Sequence, residues 1–286
     1  MSKPPILLIG NCIIDQIYRL AGFPSEDDEL RALEHTRELG GNACNSVRVL
    51  AALGHPVALG ASLADDDPAA WARARLASLH IGTHACQTLA DHTTPHSSIW
   101  LNTANGSRTI VHHRDLPEMS AQHLRGLSFA DYDWIHFEGR NIATLQEVLP
   151  LLDARRERLS LEIEKARPGI EDLARSVGTL IVSSHYLRDR GMDAATCMDE
   201  LKKLNPHALI VCTLGAQGLS AIDADGRKLS MPAERVDRVI DTIGAGDCFI
   251  AGLISRLSLR EPFANALDFA NHLAAIKIQR QGMTIE

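Results

Sequence analysis

Short runs of apolar residues alternate along this chain with stretches whose apolar positions recur every three or four residues. Ile6 to Gly10 (ILLIG) is a continuous apolar run ended by glycine, the pattern of a strand buried on both faces of a parallel sheet. The pattern returns at Trp134 (WIHFE), Leu159 (LSLEIE), Thr179 (TLIVSS) and Leu209 (LIVCTLG). Between these runs, NACNSVRVLAALG sets Ala43, Val47, Leu50 and Ala51 on one helical stripe, which Gly54 and Pro56 end. TLQEVLPLLDARR and TCMDELKKL read as helices in the same way, and DARRERL as a solvated helix face. Strands alternating with helices imply right-handed crossovers and a mainly parallel sheet covered on both sides.

Two stretches break the alternation. Residues 12–38 read as short strands and turns, and residues 93–113 carry Asn105-Gly106 between SSIWLNT and RTIVHH, a strong hairpin cue. They predict a small β-sheet lid, inserted in a single α/β domain that spans residues 1–286. There is no internal repeat and no long linker.

The net charge of −7 argues against a broad surface for nucleic acid or anionic membrane. No stretch approaches the ~20 apolar residues of a membrane span, and MSKPPILLIG has too short an apolar run for a secretory signal. Cys12, Cys44, Cys86, Cys197, Cys212 and Cys248 are scattered without a CxxC pair, which reads as free thiols in a reducing compartment. The expectation is a cytoplasmic enzyme with neither a nucleic-acid nor a membrane partner. His84, Cys86, His92 and His96 lack the regular spacing of a zinc site.

Candidate chemistry gathers in DTIGAGDCF, Asp241 to Phe249. Ile250, Leu253, Ile254 and Leu257 follow at helical spacing, so Gly244, Ala245 and Gly246 fall at a helix N-terminus. Small residues there let an anion approach free backbone N–H groups that the helix dipole makes positive. Asp247, in the first turn, is placed to take a proton from an attacking hydroxyl, or simply to cap the turn. The segment is neither a Walker loop nor GxGxxG.

DTIGAGDCF resembles the C-terminal signature of the ribokinase-like carbohydrate kinases, the family of the minor phosphofructokinase. GGNACNSVRVLAALG, Gly40 to Gly54, resembles their N-terminal signature. Within the family, FPSEDDELRALEHTRELGG, NTANGSRTIVHHRDLPEMSA, YDWIHFEGRN and LEIEKAR resemble the ketohexokinase (hepatic fructokinase) branch, whose members phosphorylate D-fructose on its 1-hydroxyl with MgATP. The resemblance implies a three-layer sandwich with a lid, and an ATP-dependent kinase of a ketohexose. A kinase of another polyol or nucleoside (ribose, adenosine, another keto-sugar) is the alternative within the class. A non-catalytic sugar or nucleotide sensor is the alternative outside it.

The resemblance also assigns roles. Asp247 becomes the general base, Gly244, Ala245 and Gly246 the anion hole, and Arg108 a lid cation facing the transferred phosphoryl group. Asp15, Gly41, Asn42 and Asn45 hold sugar hydroxyls, while Asp27 reaches the sugar of a partner subunit in a homodimer clasped through its lids. Glu26, Asp28 and a plain solvated turn compete for that last assignment. Ala216 and Gly218, with Asn271 and Ala275, line the ATP site. Asp241 and Thr242 hold a monovalent cation, usually potassium, although capping the turn explains Asp241 equally well. The family's Asn-x-x-Glu motif is missing, Ser184 and Leu187 standing in its key places, so Mg²⁺ has no assigned ligands and Glu138 and Glu164 are the best acids available.

Overall fold

The apolar runs become the strands of a nine-stranded sheet in the computed structural model, which describes residues 3–283. The chain opens with β1 (Ile6–Ile9), β2 (Ile13–Leu20), β3 (Glu34–Gly40), α1 (Asn42–Ala52), β4 (Val57–Gly60), β5 (Ser62–Ala64), α2 (Asp67–Ser78), β6 (Ile81–Gly82) and β7 (Gln87–Leu89). It continues through β8 (His96–Asn102), β9 (Arg108–His113), α3 (Ala121–Arg125), β10 (Trp134–Glu138), α4 (Ile142–Val148), β11 (Leu159–Ile163), β12 (Thr179–Val182), α5 (Ser184–Arg190) and α6 (Ala194–Leu204). The last part holds β13 (Leu209–Thr213), β14 (Leu219–Ile222), β15 (Lys228–Met231), α7 (Ala245–Ser258) and α8 (Phe263–Ile278).

The sheet order is β15-β14-β13-β12-β11-β10-β1-β4-β6, parallel except for the β14 and β15 edge. From β1 the chain winds outward to β4 and β6, then returns to β10 and winds the other way. The β1/β10 boundary is therefore the topological switch point, where open sheets of this kind place ligands beyond the carboxyl ends of their strands. Successive side chains of β1 point to opposite faces: Ile6 and Leu8 enter the layer under α1, α2, α7 and α8, while Leu7 and Ile9 enter the layer under α3 to α6. Leu7 and Leu8 are fully buried, and each contributes about 1.5–3 kcal/mol of burial. The result is the expected three-layer sandwich, a mainly parallel sheet covered by helices on both faces.

The lid is a four-stranded sheet, β3-β2-β8-β9, with β2 and β8 parallel and the outer pairs antiparallel. Its hairpin closes where Asn105-Gly106 predicted, with Gly106 N–H donating to Asn102 O at 2.8 Å and Ser107 N–H to Asn105 Oδ1 at 2.9 Å. A separate two-stranded sheet of β5 and β7, and the antiparallel edge of β14 and β15, had no signal strong enough to be read.

One helix differs from expectation. TLQEVLPLLDARR is α-helical only as far as Val148 and continues as a 3₁₀ helix from Leu149 to Arg158. Pro150 has no N–H to give and its ring crowds the preceding turn, so the tighter helix takes over. DARRERL is solvated at Asp153, Ala154, Arg156 and Glu157, but its other two arginines turn inward: Arg158 pairs with Asp133 and lies over the Trp134 ring at 5.4 Å, and Arg155 donates to Phe129 O and Tyr132 O.

Candidate active site

Gly244 sets the entry to α7. Its φ of 78° is left-handed, and an added Cβ would lie 2.2 Å from Met283 Sδ, so only glycine fits. The helix then starts without a side-chain cap, which leaves the Gly246 and Asp247 N–H groups with no intrahelical acceptor. Asp247 is buried one turn in. Asn45 Nδ2 on α1 donates to its Oδ2 at 2.8 Å, and Ser46 Oγ donates to its backbone oxygen at 3.1 Å. Burial pushes the Asp247 carboxyl up to about 7, opposed by the Asn45 hydrogen bond and reinforced by Glu138 and Glu164. A base in that range is strong and still ionised in part near neutral pH. Neighbouring Cys248 is fully buried, and burial drives its thiol up to about 12, as befits a packing residue.

Asn45 Oδ1 is buried with no hydrogen-bond partner among the described residues. A buried amide oxygen left bare is costly, on the order of 1–3 kcal/mol, unless a ligand hydroxyl donates to it. Three residues earlier, Asn42 Nδ2 donates to both Glu162 oxygens at 3.1 and 3.2 Å. The two asparagines thus fix two acids, one on the sheet and one on α7. Just before Asn42, Gly41 turns the chain from β3 into α1 at φ 99°, where an added Cβ would meet Asn11 O at 2.5 Å.

The switch point itself is closed by Glu138, at the end of β10. Its Oε1 accepts N–H groups from Asn11, just past β1, and from Ala43 in α1. Burial raises Glu138 to about 7 and Glu162 well above the ordinary carboxylate range. Arg114 Nη1 donates to Asn11 Oδ1 at 2.6 Å, and Glu118 bridges Arg114 and Arg140. Neither Glu162 nor Arg114 was a sequence candidate, because their partners lie 120 and 103 positions away. Glu138 is therefore engaged by backbone amides, and no cluster of three His, Cys, Asp or Glu side chains able to hold a metal occurs among the described residues.

The lid brings Asp15 over Gly40, and burial raises its carboxyl against the pull of the Ser97 hydroxyl. In register, Asp15 pairs with Ser97 and Ser97 with His112, which approach at 3.2 Å through Oγ and Nδ1. His112, which with His113 makes no chelating pair because the two point to opposite faces of the strand, thus shares a face with Ser97 and Asp15. Arg108 pairs with Leu101 on that face and lies four residues, about 13 Å, further along the strand, exposed at the lid tip. Asp27 sits exposed at φ 68° in the loop between β2 and β3, while Asp28 Oδ2 accepts the Ser25 N–H at 2.9 Å.

Of the residues expected to line a nucleotide, Ala216 is exposed in a short turn after β13. Gly218 is buried, with Met231 O only 2.1 Å from where a Cβ would be. Asn271 Nδ2 donates to Pro232 O at 2.9 Å, tying α8 to the chain beyond β15, and Ala275 is buried on the same helix. Asp241 is encircled: its Oδ1 accepts the Ile243 N–H at 2.9 Å, its Oδ2 accepts the Gly282 N–H at 3.1 Å, and Lys277 Nζ stands 3.2 Å from Oδ2.

Residues 3–286 match the pfkB family of carbohydrate kinases. The ketohexokinase of Mus musculus is 31% identical over 295 aligned residues, covering 99% of this chain and 98% of that protein. The ribokinase of Arabidopsis thaliana, solved with ribose and ATP, superposes with a TM-score of 0.79 at 18% identity, covering 99% of this chain and 94% of its own. The ribokinase of Cryptococcus neoformans, solved with ADP, gives 0.71 at 21% identity, covering 99% and 95%.

Proposed function

The chain belongs to the pfkB family of carbohydrate kinases, and from that premise we propose that it transfers the γ-phosphoryl group of MgATP to a ketohexose, converting D-fructose to D-fructose 1-phosphate. It is a phosphotransferase with an alcohol group as acceptor. The finer reading is supported by identity to a ketohexokinase along nearly the whole of both chains. The observation that carries it is the Asn45–Asp247 pair: a buried carboxylate gripped on one oxygen, beside a buried amide oxygen with no partner, at the mouth of an uncapped helix.

In this reading Asp247 takes the proton of the attacking 1-hydroxyl as its oxygen bonds to the γ-phosphorus and the bond to the β,γ-bridging oxygen breaks, releasing ADP. In the anion hole expected of Gly244, Ala245 and Gly246, the Ala245 N–H is held by Thr242 O at 3.3 Å, so the free N–H groups of Gly246 and Asp247 face the charge on the transferred oxygens, and Arg108 adds a cation when the lid comes down. Asp15, Gly41, Asn42 and Asn45 fix the remaining sugar hydroxyls, and Ala216, Gly218, Asn271 and Ala275 border the nucleotide. Magnesium enters with the nucleotide as part of the substrate: Glu138 is engaged by backbone amides, and no group of three His, Cys, Asp or Glu side chains among the described residues could hold a metal ion. Bound to the phosphates, it neutralises their charge.

The lid is also the surface proposed for a homodimer. Of the nine exposed large apolar side chains among the described residues, Phe23, Leu30, Leu33, Ile110 and Val111 all fall in the lid or its loop. Ile110 and Val111 point to opposite faces of the edge strand β9, so both faces are bare. Asp27, on an exposed turn of the same region, is the acid offered to a partner's sugar. The unpaired cysteines suit a reducing, cytoplasmic setting. No helix among the described residues is long and apolar enough to cross a membrane.

The testing experiment is turnover of D-fructose with MgATP by the protein and by Asp247→Asn. The variant is expected to lose about 10²–10⁴-fold in kcat while still binding fructose. Equal turnover by the two would remove Asp247 as the base.

A further inference from the structure

Lys277 is the most deeply buried charged side chain of the fold, with 0% of its surface exposed. It lies in the last turn of α8, and its Nζ donates to Asp241 O at 2.9 Å and to Arg280 O at 3.3 Å. Asp241 Oδ2 stands 3.2 Å away on a third side. An ammonium has three N–H donors and no acceptor, and here it meets three oxygens. Two are backbone carbonyls, one of them just beyond the C-terminal end of a helix, where the dipole favours a positive charge. The third is a carboxylate. Oxygens gathered in this way are what a bound potassium ion would require, and they already surround a positive charge of the same size.

The surrounding bonds show what this charge holds together. Ile240 and Asp241 N–H groups both donate to Ile278 O, at 2.7 and 3.2 Å. Asp241 then turns the chain by accepting the N–H groups of Ile243 and Gly282. The loop leading to Gly244, and so the aim of the Gly246 and Asp247 amides, is strapped to the end of α8 around the Lys277 ammonium. The same charge reaches Asp247 and favours its ionised form.

We propose that the ε-ammonium of Lys277 is a built-in monovalent cation, which fills the oxygen cage that the family resemblance assigns to a free potassium ion at Asp241 and Thr242. The glycine loop is then organised without any ion from solution, and the enzyme works independently of potassium. The part of this that concerns catalysis rests on the kinase reading above; the part that concerns the cage does not.

The test compares potassium, sodium and tetramethylammonium chlorides at one ionic strength. Wild-type protein is expected to show the same Tm in all three, and turnover within about twofold, where the loss of a single charge-assisted contact would cost about tenfold or more. In Lys277→Ala the Tm is expected to drop and then to recover as potassium is titrated in, saturably, with sodium less effective. Crystals soaked in thallium(I), a heavy stand-in for potassium, are expected to show anomalous density beside Asp241 in the variant alone. Saturable potassium dependence of the wild-type Tm, or thallium beside Asp241 in the wild-type protein, would overturn the proposal. So would a variant that keeps its Tm and ignores every ion. If Lys277→Ala does not fold, the wild-type Tm and the thallium map decide by themselves. Neither readout needs a sugar, so absence of turnover on every substrate would count against the kinase reading and leave this test intact.

Discussion

Asp247 sits in a setting that opposes its own charge, and that opposition has a measurable signature. The carboxyls of Asp247 and Glu138 are raised by burial to about 7, and burial raises Glu162 well above the ordinary carboxylate range. Between their ordinary carboxylate values and their folded ones, the folded state binds protons that the unfolded chain has released. Stability therefore falls as pH rises through that window. His136 works in reverse: burial lowers it to about 3, so it costs stability only as pH falls below its ordinary value of 6.5. Above that value the carboxyls act alone, and Tm is expected to fall between about pH 6.5 and pH 8, less steeply in Asp247→Asn. A calorimetric slope identical in the two proteins would contradict this. At this scale Asp247 and Asn45 could be picked out because they stand in local signatures, whereas Asp15 was reached only through the family resemblance. Glu162 and Arg114 were reached by neither route, since each acquires its role from a partner over 100 positions away. Lys277 did leave a trace: it continues the buried stripe of Ala266, Ala270 and Leu273 on α8, where a lysine has to be buried and paired.

Among the elements, those with a strong period were readable and those shaped by tertiary contacts were not. β1, β10, β11, β12 and β13 stand where continuous apolar runs end in turn residues. The helix after β10 changes character at Pro150, a breaker visible in the sequence whose effect the apolar period concealed. The lid hairpin was legible from Asn105-Gly106, but the parallel pairing of β2 with β8 was not, because no local rule joins strands so far apart. The bare edge strand β9 carries the prediction that belongs here. Replacing Ile110 and Val111 together by glutamate is expected to turn a dimer into a monomer in sedimentation velocity, with Tm little changed because both side chains are exposed. A wild-type chain monomeric at every concentration, or a variant that still dimerises, would exclude the lid as the interface.

For the molecule as a whole, the order of the sheet decides where chemistry is possible. The reversal at β1 and β10 opens a crevice, and the chain places Asn11, Glu138 and Glu162 along it, α1 and α7 above it, and the lid across it. The three-layer architecture followed from alternation alone, whereas the meeting of α1 with α7 joins motifs some 200 positions apart and exists only in the folded protein. The chain is a carbohydrate kinase of the pfkB family, and D-fructose, phosphorylated on its 1-hydroxyl, is the substrate proposed for it. The measurement that tests this most directly is product identification after incubation with MgATP and, separately, D-fructose, other ketoses, aldoses and nucleosides. The fastest turnover is expected on D-fructose, with phosphorus-31 and carbon-13 NMR placing the phosphate on the 1-hydroxyl. A faster aldose or nucleoside, or phosphate on any other hydroxyl of fructose, would contradict it.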